Sequence, residues 1–181
     1  VRKQRTDLSE TVLVTLERDV LGASHPLVID GPRRTYRSSY VLPNGSIIVI
    51  GGLDKPGKIL SSEYDIIYVP QAEELAPSDW ETLITRLSGL VLPSAEQQLI
   101  GDCNPASPQH WIMQRSLDGN LKLLETYHKD NPKLYDGEKL TEFGSDYIGR
   151  LTASLTGTER QRLLEGKWVQ AEGVVYKEFG S

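Results

Sequence analysis

The apolar positions of this chain change their spacing several times, and each change marks an element. From Asp7 to Leu21, Leu8, Val12, Leu16 and Val20 recur every fourth residue, the spacing that lines one face of an α-helix. Asp7 and Glu10 stand where a capping box would satisfy the first N–H groups, and Gly22 follows as a stop. Ser39–Leu42 and Ser46–Ile50 then read as two short strands joined through Pro43-Asn44-Gly45, a turn sequence. Tyr64–Val69 carries the apolar run Ile66-Ile67-Tyr68-Val69, the pattern of a strand buried on both faces of a parallel sheet. Pro70 ends it, because proline cannot donate to a ladder.

The second half repeats the alternation. Ser78 and Glu81 predict a capped helix that buries Trp80, Leu83, Ile84 and Leu87 and closes at Gly89. Gln97–Gly101 is a further short strand, with Asp102-Cys103-Asn104-Pro105 as the loop at its end. Ser107-Pro108 predicts a helix start, with proline in the first turn and Trp111, Ile112 and Arg115 following. Leu121–Tyr127 alternates as a strand, and residues 131–143 read as polar loop. Helices are expected over Ser145–Leu155 and Thr158–Glu165, the latter boxed by Thr158 and Gln161. Strands alternating with helices predict an α/β fold, a mostly parallel sheet flanked by helices. Trp80, Trp111 and Trp168 read as core or helix-anchoring residues.

Composition narrows the classes. The chain has 181 residues, 38% hydrophobic and 25% charged, room for one sizeable core. One cysteine, Cys103, excludes an internal disulfide and a cysteine-based metal site. No apolar run is long enough to span a membrane. A net charge of −5 argues against a domain whose main task is coating nucleic acid. It leaves room for basic patches at Arg2, Lys3 and Arg5, and at Arg33, Arg34 and Arg37.

In a layered α/β fold, chemistry gathers at the carboxyl ends of strands. Two ends stand out, Pro70-Gln71-Ala72-Glu73-Glu74 and Asp102-Cys103-Asn104-Pro105. An apolar strand that delivers acids or amides at its tip is how P-loop ATPases hold magnesium and orient water. Taken alone, Glu73 and Glu74 also fit the solvated first turn of the next helix, and Arg86 fits a surface ion pair on it. Lys55 and Lys58 fit either a solvated turn or a loop facing a neighbouring subunit's phosphates. His110 fits a packed helix residue, and Cys103 a small buried side chain, since no histidine is evidently paired with it.

The combination is more specific. Ser62-Glu63-Tyr64-Asp65-Ile66-Ile67-Tyr68-Val69, with Gln71-Ala72-Glu73-Glu74-Leu75, Asp79-Trp80-Glu81 and Thr85-Arg86-Leu87, resembles the Walker B segment of tailed-phage terminase large subunits. Gly51-Gly52-Leu53-Asp54-Lys55-Pro56 and Lys58 resemble the loop that precedes it in that family. Asp102-Cys103-Asn104-Pro105, with Pro108, His110 and Trp111, is similar to the family's third ATPase motif. Thr156-Gly157, Arg160, Leu164-Glu165-Gly166-Lys167-Trp168 and Glu172-Gly173-Val174-Val175-Tyr176 are similar to the exit toward its nuclease domain. The resemblance implies an incomplete P-loop NTPase domain of the additional-strand class over residues 1–168, with 169–181 starting a linker.

Roles carry over from the resemblance with two departures. The family's acidic pair after the Walker B strand falls on Pro70 and Gln71. Proline cannot ligate a metal, and a glutamine amide takes no proton near neutral pH, although it can orient water by hydrogen bonding. The implied catalytic residues are Gln71, Glu74 and Arg86, the last as a subunit-contacting arginine. Asp102, Cys103 and Asn104 would bind cofactor, and Glu73 and Asp102 would supply metal ligands. The second departure is that no Gly-x-x-x-x-Gly-Lys-[Ser/Thr] loop occurs in these 181 residues, so the phosphate cradle is missing.

The resemblance therefore implies ATP and Mg²⁺ in an intact protein, with neither expected on this chain alone. It implies double-stranded DNA, a portal protein, a small terminase subunit and further copies in a ring as partners, and the host cytoplasm as location. Two other readings stay open. One is a prophage remnant that folds without hydrolysing ATP; the other is a P-loop motor of the helicase or recombination type, whose arginine motifs the sequence lacks.

Overall fold

The segment expected as one helix over Asp7–Leu21 folds in three pieces: α1 (Arg5–Glu10), α2 (Val12–Thr15) and a π-helical turn over Leu16–Leu21. The break falls at Thr11, with φ −124° and ψ −88°. Its hydroxyl donates to the Asp7 carbonyl at 2.6 Å, a side-chain bond that competes with the helical ladder. Gln4, without a side-chain cap, precedes α1, so the Asp7/Glu10 box does not form. The break and the wider π-turn rotate the apolar stripe. Leu8 and Leu13 are buried with Tyr40 and Ile50, and Val12, Leu16, Leu21 and Leu27 pack against them, while Val20 is 69% exposed. Gly22 ends the segment at φ +92° as expected.

These elements belong to a computed structural model that describes residues 1–54 and 59–170. Lys55, Pro56 and Lys58, the Glu172–Tyr176 match, and all but the first two residues of the expected linker lie outside the described residues. The chain divides into two compact units, Val1–Cys103 and Asn104–Ser181.

In the first unit, α3 (Pro26–Ile29) follows the π-turn. Then β1 (Ser39–Val41) pairs antiparallel with β2 (Ile47–Val49), turning at Gly45 with φ +85°. β3 (Ile66–Val69) pairs parallel with β4 (Gln98–Gly101), Val69 opposite Gly101. Between them runs α4 (Pro77–Ile84). It starts earlier than Ser78, with proline in the first turn and the Asp79 carboxylate accepting the Ala76 N–H at 3.2 Å. It stops at Ile84 instead of Gly89, because Tyr64 and Leu87 form a parallel bridge beyond it. Ile67, Val69, Ile59 and Leu83 are 3% exposed or less, each burial contributing about 1.5–3 kcal/mol. Ile66 and Tyr68 are 54% and 43% exposed, so β3 buries one face, not two.

A polar network braces this unit. Glu17, at 6% exposure, accepts from the Tyr40 hydroxyl at 2.6 Å and from Arg34 Nε at 2.8 Å, and Arg37 Nε lies 3.6 Å away. Arg37 sits over the Tyr40 ring at 4.7 Å and donates to the carbonyls of Leu27 and, at 2.9 Å, Val28. Burial works to raise the Glu17 carboxyl, but the Tyr40 and Arg34 hydrogen bonds and the two arginine charges overcome it and hold it below its ordinary 4.5. A carboxyl depressed on folding contributes stability above its unfolded pKa and loses it as pH falls through the folded value. Urea midpoints are expected to be flat above about pH 5.5 and to fall below about pH 4.5, with Glu17→Gln removing part of that fall. An acid limb of equal size in Glu17→Gln would count against the network.

In the second unit, α5 spans Trp111–Leu117. It begins after Ser107-Pro108, because His110 is its N-cap and accepts the Ile112 N–H through Nδ1 at 3.4 Å. The expected strand over Leu121–Tyr127 does not form; its alternation finds no partner strand among the described residues, and Leu124 is 74% exposed. The expected polar loop contains a tight hairpin, β5 (Tyr135–Asp136) with β6 (Lys139–Leu140), turning at Gly137 with φ +58°. α6 (Glu142–Ser154) is capped by Thr141, whose hydroxyl accepts the Gly144 N–H at 2.9 Å. α7 (Gly157–Leu163) follows Thr156, so no Thr158/Gln161 box caps it. The expected mostly parallel sheet is, among the described residues, one parallel pair and two antiparallel pairs.

Candidate functional site

The carboxyl ends of β3 and β4 lie side by side because their parallel register ends with Val69 opposite Gly101. Asp102 N donates to the Val69 carbonyl at 3.2 Å, and Ala72 N donates to the Asp102 carbonyl at 2.7 Å. The ladder therefore continues one step past both strands. Trp80 and the turn over Ala72–Glu74 pack so closely on β4 that a Cβ at Gly101 would lie 2.9 Å from that of Ala72 and 3.1 Å from the Trp80 ring. Glycine is what lets the two tips meet.

Gln71 follows the buried Pro70 and adopts φ +53°, ψ +54°, the one left-handed non-glycine among the described residues. Such a conformation costs about 1–3 kcal/mol and persists where its surroundings over-determine it. Here Asp102 does so: its Oδ1 accepts the Gln71 N–H at 2.6 Å, and its Oδ2 accepts the Tyr68 hydroxyl at 2.5 Å. Burial, then the bond and charge of Asp102, push the Tyr68 phenol up to about 12. The Gln71 side chain is held from the other direction by Arg2, which also reaches Glu74 Oε1 at 3.1 Å and Thr11 Oγ1 at 3.5 Å.

Of the residues expected from the sequence, Gln71, Glu74 and Asp102 are thus joined in one network. Glu73 and Asp102 both act on Cys103, whose thiol burial and those two charges push up to about 11; at neutral pH it is no nucleophile. Arg86 is placed apart, donating to the Leu60 carbonyl at 2.8 Å and to Thr85 Oγ1 at 3.1 Å. Asn104 opens the second unit, where His110 lies between Trp111 and Trp168, ring centroids 5.7 and 6.2 Å away. Among the described residues no three His, Cys, Asp or Glu side chains cluster to hold a metal. Each Asp102 carboxylate oxygen accepts one protein donor, and Glu74 is paired with Arg2.

Sequence reasoning does not find Arg2 and Tyr68 as site residues. Tyr68 is the polar-tipped member of an apolar run, a signal that could have found it. Arg2 carries no local signal for the site, since Gln71 and Glu74 lie about 70 residues away.

No curated protein sequence matches the chain. Among solved structures, the large terminase of a thermophilic bacteriophage is similar over 97% of this chain and 41% of that one, at 21% identity and a TM-score of 0.65. The same protein in complex with ADP matches over 98% and 42%, at 23% identity and a TM-score of 0.64. Its complex with ATP-γ-S matches over 68% and 27%, at 20% identity and a TM-score of 0.50. The chain spans about two fifths of the length of the first two, and likeness at this identity concerns the fold. The model of the phage terminase large subunit family matches residues 32–153, about two thirds of the chain. The chain belongs to the phage terminase large subunit family.

Proposed function

We propose that this chain forms part of the ATP-hydrolysing motor of a terminase large subunit, which drives double-stranded DNA into a procapsid. The observation that carries the reading is the strained Gln71 at the tip of β3, clamped by Asp102 from the tip of β4. Strain held in place at the carboxyl ends of parallel strands is where nucleotide chemistry sits in α/β folds. The thermophilic phage's large terminase, whose fold this chain shares, has been solved with ADP and with ATP-γ-S.

In this reading ATP and Mg²⁺ bind in the intact protein on a phosphate loop that these 181 residues do not contain. The β3 and β4 tips lie against the reacting phosphate, and the partners are DNA, a portal protein, a small terminase subunit and further copies in a ring. The additional-strand P-loop class, the role of Arg86 toward a neighbouring subunit and the division at residue 168 belong to the same proposal. A folded, non-hydrolysing remnant is the second reading, favoured by the buried Pro70, where a metal-binding acid is expected.

The test is ATP hydrolysis by the natural full-length protein containing this chain, with and without double-stranded DNA. DNA is expected to raise turnover. No stimulation in an assembled ring would sink the motor reading and leave the remnant.

A further inference from the structure

We propose that Arg2 is the positioning residue of this site, and that it turns Gln71 so that the side chain offers an N–H donor to a phosphoryl oxygen instead of an acceptor to water. The inference rests on the nucleotide reading above. It begins with hydrogen-bond bookkeeping: arginine has donors and no acceptor, so the Gln71 atom that faces it is Oε1. Nε2, the other branch of the amide plane, then turns away from the guanidinium. Gln71 cannot easily rotate away, because its backbone N–H is held by Asp102 at 2.6 Å and its φ is +53°.

Arg2 is itself fixed. Its side chain is 10% exposed, and its backbone is pinned on both sides, Arg2 N donating to the Gly51 carbonyl at 3.2 Å and Leu53 N to the Arg2 carbonyl at 3.0 Å. Glu74 at 3.1 Å and Asp7 at 3.9 Å balance its charge. A buried guanidinium with two carboxylates around it keeps its fork in one place. An uncharged NH₂ group donates to an acceptor oxygen, and under the nucleotide reading that acceptor is a phosphoryl oxygen.

The test has a structural arm and a functional arm. In the chain itself, the Gln71 side-chain NH₂ pair is identified by NMR as the pair lost in Gln71→Glu. In Arg2→Met, which keeps an unbranched stem without donors, that pair is expected to move to the position of a solvated glutamine. Its exchange with water should rise at least about tenfold, while the Gln71 backbone N–H stays protected through Asp102. An unmoved pair in a folded Arg2→Met chain overturns the proposal. Should Arg2→Met not fold, Arg2→Lys replaces the fork with one point donor, and superimposable Gln71 signals in it and the wild type overturn the proposal equally.

In the natural full-length protein, Arg2→Met is expected to raise KM for ATP at least about fivefold with kcat within about twofold, the pattern of a lost binding contact. Any other split overturns the donor assignment. A wild-type protein that hydrolyses no ATP fails the motor reading, whereas the NMR arm still decides the role of Arg2.

Discussion

Glu17→Ala is expected to lose about 3–5 kcal/mol of stability, the cost of breaking a buried ion pair from one side. That is a large share of the roughly 5–15 kcal/mol that holds a domain together. The carboxylate is shared by three partners, Tyr40, Arg34 and Arg37. Removing it leaves Arg37, 4% exposed, as a buried cation facing a phenol and two backbone carbonyls. The damage spreads to α3, since Arg37 grips the carbonyls of Leu27 and Val28. It also crosses to Gly31, where a Cβ would meet the Arg37 guanidinium. Urea unfolding followed by circular dichroism checks this, with Glu17→Gln as the control that keeps shape and part of the bonding. A Glu17→Ala midpoint equal to that of the wild type would show that the network contributes nothing.

Gln71→Glu is expected to raise KM for ATP in the natural full-length protein by about 10–100-fold, the loss of a hydrogen bond to a charged group. The geometry accommodates the change. Arg2 already faces the Gln71 carbonyl oxygen, so a carboxylate there turns a charge–dipole bond into an ion pair. Its second oxygen then occupies the place of Nε2 and faces the phosphoryl oxygen with a negative charge where a donor stood. The same pairing holds the new carboxyl ionised, so the repulsion is present at neutral pH. Steady-state hydrolysis measures the change. An unchanged KM would mean that the side chain at position 71 does not face a phosphoryl oxygen.

How much of the fold is legible in the sequence depends on the range of the signal. The run Ile66-Ile67-Tyr68-Val69 and the Pro43-Asn44-Gly45 turn are local, and both predict the right kind of element. The number of buried faces on β3 is not legible, because a run of apolar residues does not say what lies over each face. The helix over Asp7–Leu21 breaks at a single residue. Thr11 has no periodicity signature, yet its backbone leaves the helical region there, its hydroxyl bonds the Asp7 carbonyl, and Val20 lies in solvent. Asp136-Gly137 is a hairpin signal easily overlooked inside a polar stretch. At the site, the strand ends lead to the acidic and amide positions. Their mutual bonds stay hidden, because Arg2, Tyr68 and Asp102 meet only through folding.

The long reach of Arg2 also governs when the site comes into being. Its partners on Gln71 and Glu74 lie 69 and 72 residues along the chain, and Asp102 must travel 31 to meet Gln71. Such closures lose chain entropy before any contact repays it. During synthesis Arg2 leaves the ribosome before Gln71 and Glu74 are made. The hydrogen bonds that orient Gln71 therefore close only once segments 31 and 69 residues apart along the chain have been brought together. A complete but partly folded chain carries every residue of the site without its geometry.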